Sequence, residues 1–465
     1  MPQLTFFGAA GTVTGSRFLL EIKEMKLLVD CGLFQGPKEN RLKNWAPFPV
    51  APAEVDAVIL THAHIDHIGY LPRFCRDGFS GPIVCTHATA ELGKILLRDS
   101  GHLQEEDARW ANKKGFSKHD PALPLFTVED AEACLEQFTP FHYGESIPLS
   151  DHVRLKFRDA GHILGSALVD IKTSFAGRAP RKILFCGDLG RPARAVLRDP
   201  TQVYNVDYLV LESTYGNRLH DDASFYDEFV RVVQESMVRG GVLIIPSFAV
   251  GRTQTLLYLI RELEEAGKIP VLPVYVDSPM ALEATTVYEK QIPSQNLRTR
   301  LLTIRGKRVF RTGDLHLCNS RKKSKAINEV KSHAIIISAS GMLTGGRVLH
   351  HLQRRLSDEK NMVLFVGYQP EGTRGRAILD GASSTRIYGE QVPVRAGVAN
   401  ITGLSCHADY NETLAWLMGF NNQPDMTYII HGEPAASRSL ADKIMSTYDW
   451  EATVPTLEES FLIDL

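Results

Sequence analysis

The run THAHIDHIG, residues 61–69, places four metal-ligand side chains, His62, His64, Asp66 and His67, within six residues. Imidazole and carboxylate suit zinc, and a catalytic zinc keeps one position open for water. His62 and His64 are two apart, so in extended chain they point the same way and can share one metal. Asp66 and His67 follow the turn and can serve a neighbouring metal. Two metals about 4 Å apart can together activate a water and stabilise a leaving oxygen, which is the chemistry of hydrolysis. Four side chains cannot fill two metal shells. Three further candidates close apolar runs: His162 in DAGHILGSA, Asp188 in ILFCGDLG and His431 in YIIHGE. Each alone reads equally well as a buried polar residue with its hydrogen bonds satisfied. As a set they would complete a dinuclear centre.

Such a centre needs strands to carry it. Val55–Leu60 is a short apolar strand leading straight into His62. Phe18–Ile22 and Lys26–Val29 read as a strand pair. Ile83–Thr86, Val153–Phe157, Ala167–Ile171, Lys182–Phe185 and Tyr208–Leu211 continue the pattern, with a charged helix over Ala88–Lys114 between them. After Glu212 the character changes. Ser224–Arg239 is an amphipathic helix stopped by Gly240–Gly241. A buried strand Val242–Ile245, a helix from Gly251 through Ala266, and strands Val271–Val276, Ala334–Ser338 and Met362–Val366 predict a parallel α/β unit. From about Pro393 the mixed short-strand style returns, ending in Met426–Ile430 and a helix near Ala435–Met445. The expected organisation is one domain split in sequence, 1–209 and 393–465, with a second domain, 210–392, inserted into it.

The chain has 465 residues, 44% apolar and 23% charged, with a formal net charge of −2. That is ample for a large core without structural staples. It excludes a protein coated in positive charge, though a local basic groove fits within a neutral total. Seven cysteines are scattered with no C-x-x-C pair, which reads as reduced thiols rather than a zinc knuckle. The start, MPQLTFFGAAG, lacks the pattern of a secretory signal, and no apolar run is long enough to span a bilayer. The cytoplasm is the expected location.

THAHIDHIG, followed by AGHILGS and CGDLG, resembles the metallo-β-lactamase superfamily. FGAAGTVTGS and VDCGLFQG resemble its nuclease branch. Glu212 in LVLESTYGN, His407 in GLSCHADY and His431 in IIHGE resemble motifs A, B and C of the β-CASP nucleases. PSFAVGRTQTLL, SASGMLTGGR and GYQPEGTRGR match the style of a β-CASP domain, so the resemblance covers essentially the whole chain. It implies an αββα sandwich with an inserted α/β domain. It also implies a zinc ligated by His62, His64 and His162, a second ligated by Asp66, His67 and His431, and Asp188 bridging them. Asp30 would brace the ligand loop without binding metal. A histidine at motif C accompanies RNA substrates in this family, so His431 points to RNA. Cys406, before the motif B histidine, departs from the commoner glycine or alanine and is expected to have little effect.

The expected activity is therefore zinc-dependent endonucleolytic cleavage of single-stranded RNA, with Asp66, Asp188, Glu212 and His407 as the catalytic set. His407 is the best general acid for the leaving oxygen. Glu212 would orient it or stabilise its charged form. Phosphate grip is expected from Arg252, which follows Gly251 at a helix start. A second cradle would form from Ser340, Gly341, Gly345, Gly346 and Arg347. The basic segment 298–331 reads more readily as a solvated face than as an RNA path. A DNA nuclease is disfavoured by His431. A small-ester hydrolase is disfavoured by an insertion of roughly 180 residues, which a small ligand does not need. An inactive scaffold subunit would have lost ligands, and none is missing. Without a separate RNA-binding domain ahead of the core, selectivity would depend on a partner or on a homodimer.

Overall fold

A computed structural model describes residues 1–23, 25–115, 117, 119–220, 225–291 and 295–465. Two compact units are present. The first comprises residues 1–193, 198–219 and 407–465, and the second 194–197 and 220–406.

The first unit is built on two seven-stranded sheets. One carries, in order, Ser460–Leu462, Gln3–Phe6, Phe18–Ile22, Met25–Val29, Ala57–Ile59, Ile83–Thr86 and Phe138–Phe141. The other carries Ala452–Thr453, Met426–Ile430, Tyr208–Glu212, Arg181–Phe185, Ala167–Thr173, Val153–Asp159 and Ile147–Pro148. Their facing sides share one apolar core, including Phe6, Phe18, Val29 and Ile59 from the first sheet and Phe157, Val169, Phe185 and Val210 from the second. The long helix His87–Lys114 lies against strands of the first sheet. On the outer side of the second sheet, Leu168, Leu184 and Leu209 pack with Trp416, Leu417, Leu440 and Ile444 of the helices Tyr410–Leu417 and Pro434–Tyr448. The result is the expected αββα sandwich. Alternation of inward apolar and outward residues fixes each register, because a slip of one would turn the core face to solvent.

The second unit is a six-stranded parallel sheet, ordered Asp314–Leu317, Pro273–Val276, Ala334–Ser338, Val242–Pro246, Met362–Phe365 and Gly397–Asn400. Three adjacent strands, Ala334–Ser338, Val242–Pro246 and Met362–Phe365, are apolar runs buried on both faces, as a parallel sheet covered by helices requires. The chain returns to the first unit only at His407, because Gly397–Asn400 still pairs along Met362–Phe365. The helix expected from Ser224 runs Phe225–Arg239, and Ser224 lies outside the described residues. No described helix is long and apolar enough to cross a membrane.

Candidate metal and catalytic centre

The strand Ala57–Ile59 delivers Thr61 and His62. The chain then turns into a single helical turn, Ile65–Ile68, which carries Asp66 and His67. This loop is clamped from behind. Ser16 N–H donates to the Asp66 carbonyl and Cys31 N–H to that of His67, both from the segments that preceded the motif in sequence. Gly32 is required there: a Cβ at this position would lie 1.6 Å from the Asp66 carbonyl oxygen.

The seven ligand candidates converge into two sets. In the first, His62 Nε2 lies 3.0 Å from His64 Nδ1, and His162 Nε2 lies 3.3 Å from the same atom. Asp188 Oδ2 is 3.4 Å from His62 Nε2 and 3.3 Å from His162 Nε2. In the second, His431 Nε2 is 3.3 Å from His67 Nε2 and 3.4 Å from Asp66 Oδ2. Asp188 reaches this set too, with Oδ1 3.3 Å from His67 Nε2. These separations match a metal site. A tetrahedron with Zn–N bonds of about 2.0–2.1 Å has edges of about 3.3 Å.

The orientation of the rings is set by their far nitrogens. Asp30 accepts from Thr61 N–H and from the Thr61 hydroxyl, each at 2.8 Å, and lies 2.8 Å from His67 Nδ1. The Thr61 oxygen in turn faces His62 Nδ1 at 3.1 Å. Thr214 Oγ1 faces His431 Nδ1 at 3.2 Å. In each ring a proton on Nδ1 leaves the Nε2 lone pair aimed into the site. Thr61 and Thr214 were not singled out from sequence. Their signal is position, since one directly precedes His62 and the other sits two residues past Glu212. Replacing Asp30 by asparagine removes the charge that faces His67. We expect metal affinity to fall by roughly 10–100-fold, as for other partners of ligating histidines. Titration with a competing chelator checks this, and unchanged affinity would remove Asp30 from the site.

Electrostatics differ between the two sets. In the second, burial opposes the charged form of His67, but the Asp188 and Asp30 carboxylates prevail and hold its imidazole well above the ordinary value. The first set behaves otherwise. Burial lowers the His62 imidazole to about 3 and His64 to about 4, and drives His162 well below its ordinary value. These rings are neutral near pH 7, the form that ligates metal. Burial pushes the Asp188 carboxyl up, but the surrounding histidines, His431 and His67 foremost, overcome it and hold the group well below the usual carboxylate range. Asp66 follows the same pattern: burial opposes, and the His431 hydrogen bond prevails.

His407 stands beside this centre. Its Nδ1 lies 2.9 Å from Glu212 Oε1, and its ring centroid is 4.6 Å from that of His162. Glu212 is itself fixed, because Leu189 N–H and Thr214 N–H both donate to its carboxylate. The carboxylate is buried while the imidazole is 18% exposed, so the ring can meet a substrate while its partner cannot.

The expected phosphate residues lie in the second unit. Arg252 begins the helix Arg252–Glu265 and is 6% exposed, and its Nε and Nη1 have no hydrogen-bond partner among the described residues. Its Nη2 lies 3.6 Å from Cys406 Sγ, so that departure from the family pattern touches the arginine directly. Ser340 Oγ accepts from Thr344 N–H, and the Gly341 carbonyl accepts from Gln369. Arg347 donates to Asp277 and to the Cys318 carbonyl. Asp277 also faces His351 and accepts from Ser324, a buried network that sequence reading missed because its members are far apart in the chain. Within 298–331, Arg298 pairs with Glu262 and Lys307 with Glu265, both exposed contacts of a solvated face.

Three family models match the chain: a metallo-beta-lactamase superfamily domain over residues 19–189, a Beta-Casp domain over 253–378, and a Zn-dependent metallo-hydrolase RNA specificity domain over 391–455. A Thermus thermophilus protein named Ribonuclease TTHA0252 is 39% identical, over 92% of each chain. An RNase J-like protein of Methanocaldococcus jannaschii is 30% identical over 98% of each. The transcription termination factor FttA of the same organism is 29% identical over 97% of this chain and 70% of its own. A crystal structure of an Enterococcus faecalis protein of unknown function superposes with a TM-score of 0.56 over 99% of this chain at 14% identity, a likeness of fold alone. With the ligand sets, the sandwich and the inserted sheet all in place, the chain belongs to the β-CASP ribonuclease family of the metallo-β-lactamase superfamily.

Proposed function

We propose that this protein is a zinc-dependent endoribonuclease that hydrolyses phosphodiester bonds of single-stranded RNA with two zinc ions. The observation that carries this reading is the position of Asp188, whose two oxygens each face a different set of ligand-capable side chains. His62, His64 and His162 would hold one ion and Asp66, His67 and His431 the other, with Asp188 shared. When bound, the metals supply water activation and neutralise phosphoryl charge. The remaining work belongs to the chain. Glu212 holds Nδ1 of His407, so the far nitrogen, Nε2, is the atom placed to give a proton to the leaving oxygen. Arg252, with two buried guanidinium nitrogens lacking partners among the described residues, is proposed to grip a substrate phosphate, with Ser340 and Gly341 in the same unit. Arg347 would contribute the nitrogens that Asp277 leaves. All seven cysteines are free thiols, which supports a reducing, cytoplasmic setting.

Matched 5′-labelled RNA and DNA oligonucleotides, with and without chelator, test the reading. We expect internal cleavage of RNA, little of DNA, and none of either with chelator. Elemental analysis of active protein is expected to give about two zincs per chain. Cleavage that persists in metal-free protein would overturn the mechanism. Equal cleavage of DNA would overturn the substrate.

A further inference from the structure

The outer face of the second sheet carries a basic depression that the catalytic centre does not use. It is about 570 Å³ in volume, and its lining includes Arg154, Lys156, Arg158, Lys172, Arg181 and Lys182 against only two carboxylates, Asp170 and Asp207. Register explains how it arises. Arg154 lies directly opposite Lys172, and Lys172 directly opposite Lys182, so three adjacent strands present a row of three cations on one face. In the next row Lys156 lies opposite Asp170. The helices that cover this face elsewhere pack over Leu168, Leu184 and Leu209 and leave the row uncovered.

Internal counter-charge is insufficient. Asp170 is taken by Arg158 at 3.0 Å and Lys182 at 3.6 Å, and Arg181 is neutralised by Asp207 at 3.6 Å and by Asp425, so these carboxylates are spent on Arg158, Arg181 and Lys182. Arg154, Lys156 and Lys172 have no ion pair among the described residues. Like charges directly opposite across strands destabilise a sheet, and a bound polyanion removes that cost. The depression is also tied to the centre through one strand. Val153–Asp159 carries Arg154 and Lys156, and His162 follows three residues after its end. Six residues of chain span at most about 20 Å, so Lys156 lies within that distance of the ligand histidine.

We propose that this face is a second binding site for the sugar–phosphate backbone of RNA, engaging a part of the strand away from the scissile bond. It rests on the ribonuclease reading. A polynucleotide fits because its charges recur along a chain and can meet several cations of the row and the flanking Lys156 at once.

The triple variant Arg154→Gln, Lys156→Gln, Lys172→Gln tests it. Cleavage of long poly(U) and of a short oligouridylate, roughly six nucleotides and near the low end of single-strand site sizes, is measured over a range of KCl. On poly(U), KM is expected to rise about tenfold at low salt. The slope of log affinity against log salt should flatten by about 2, at about 0.7 per lost phosphate contact. The short oligomer should be cleaved with unchanged kcat and KM, and the melting temperature should be equal to or above that of the wild type. Poly(U) binding followed by fluorescence anisotropy reads the face without cleavage. Weaker binding by the variant supports the site even if the wild type cleaves nothing, an outcome that would sink the ribonuclease reading alone. Unchanged salt dependence and affinity for poly(U) would overturn the second site, as would an equal loss on the short oligomer. Selective loss of binding to anionic vesicles with RNA binding intact would instead assign the face to a membrane surface.

Discussion

Replacing His407 by alanine is expected to lower RNA cleavage by about 10²–10⁴-fold, the usual contribution of a positioned acid or base, while leaving metal content at the wild-type level. That loss corresponds to about 3–5 kcal/mol of transition-state stabilisation. The separation of the two readouts follows from geometry. His407 contacts Glu212 at 2.9 Å and lies 3.9 Å from Asp188 Oδ2, outside the two candidate sets centred on His62 and His67. Glu212→Gln should give a smaller loss, because the amide can still hold the ring but no longer stabilises its charged form. Single-turnover cleavage together with elemental analysis checks both variants. Wild-type rates for His407→Ala would remove the general-acid role. A parallel loss of metal would make the histidine a ligand instead.

The second large effect is expected at Asp188. Its carboxylate lies 3.3–3.4 Å from His62 and His162 through one oxygen and 3.3 Å from His67 through the other. Truncation to alanine therefore removes a carboxylate that both candidate sets share. It also removes a buried negative charge that would balance bound metal. We expect metal content to fall at both positions and cleavage to fall on the order of 10³-fold or more, as several kcal/mol of charge stabilisation disappear. Removing His162 should weaken the first set and spare the second, since its Nε2 faces His64 and Asp188 and it is grouped with none of Asp66, His67 and His431. Zinc titration by calorimetry distinguishes the two patterns. If Asp188→Ala retains both metals at wild-type affinity, the bridging position is wrong.

Much of this was legible because it is local. The H-x-H-x-D-H run needed only a strand ahead of it and a turn within it, and the chain supplies both in eleven residues, from Ala57 to His67. The strands Ile83–Thr86, Ala334–Ser338 and Met426–Ile430 were readable from apolar runs alone, since buried parallel strands carry no competing pattern. Residues 393–406 were harder. The strand Gly397–Asn400 is short and half exposed, and only its pairing with Met362–Phe365 assigns it to the inserted sheet.

By itself, then, the sequence pointed to the candidate ligand types, the strand ends that present them and a split domain with an insertion, because side-chain chemistry and hydrophobic period are local properties. Tertiary structure alone decided three other matters. It brought Glu212 and His407 together across 195 positions of chain. It placed Arg347 against Asp277 while leaving two nitrogens of Arg252 without partners among the described residues. It also aligned Arg154, Lys172 and Lys182, which no spacing in the sequence associates, into one row. The reason is the same in each case: a long-range pair or a cross-strand neighbour is set by register and packing, which the whole fold fixes at once.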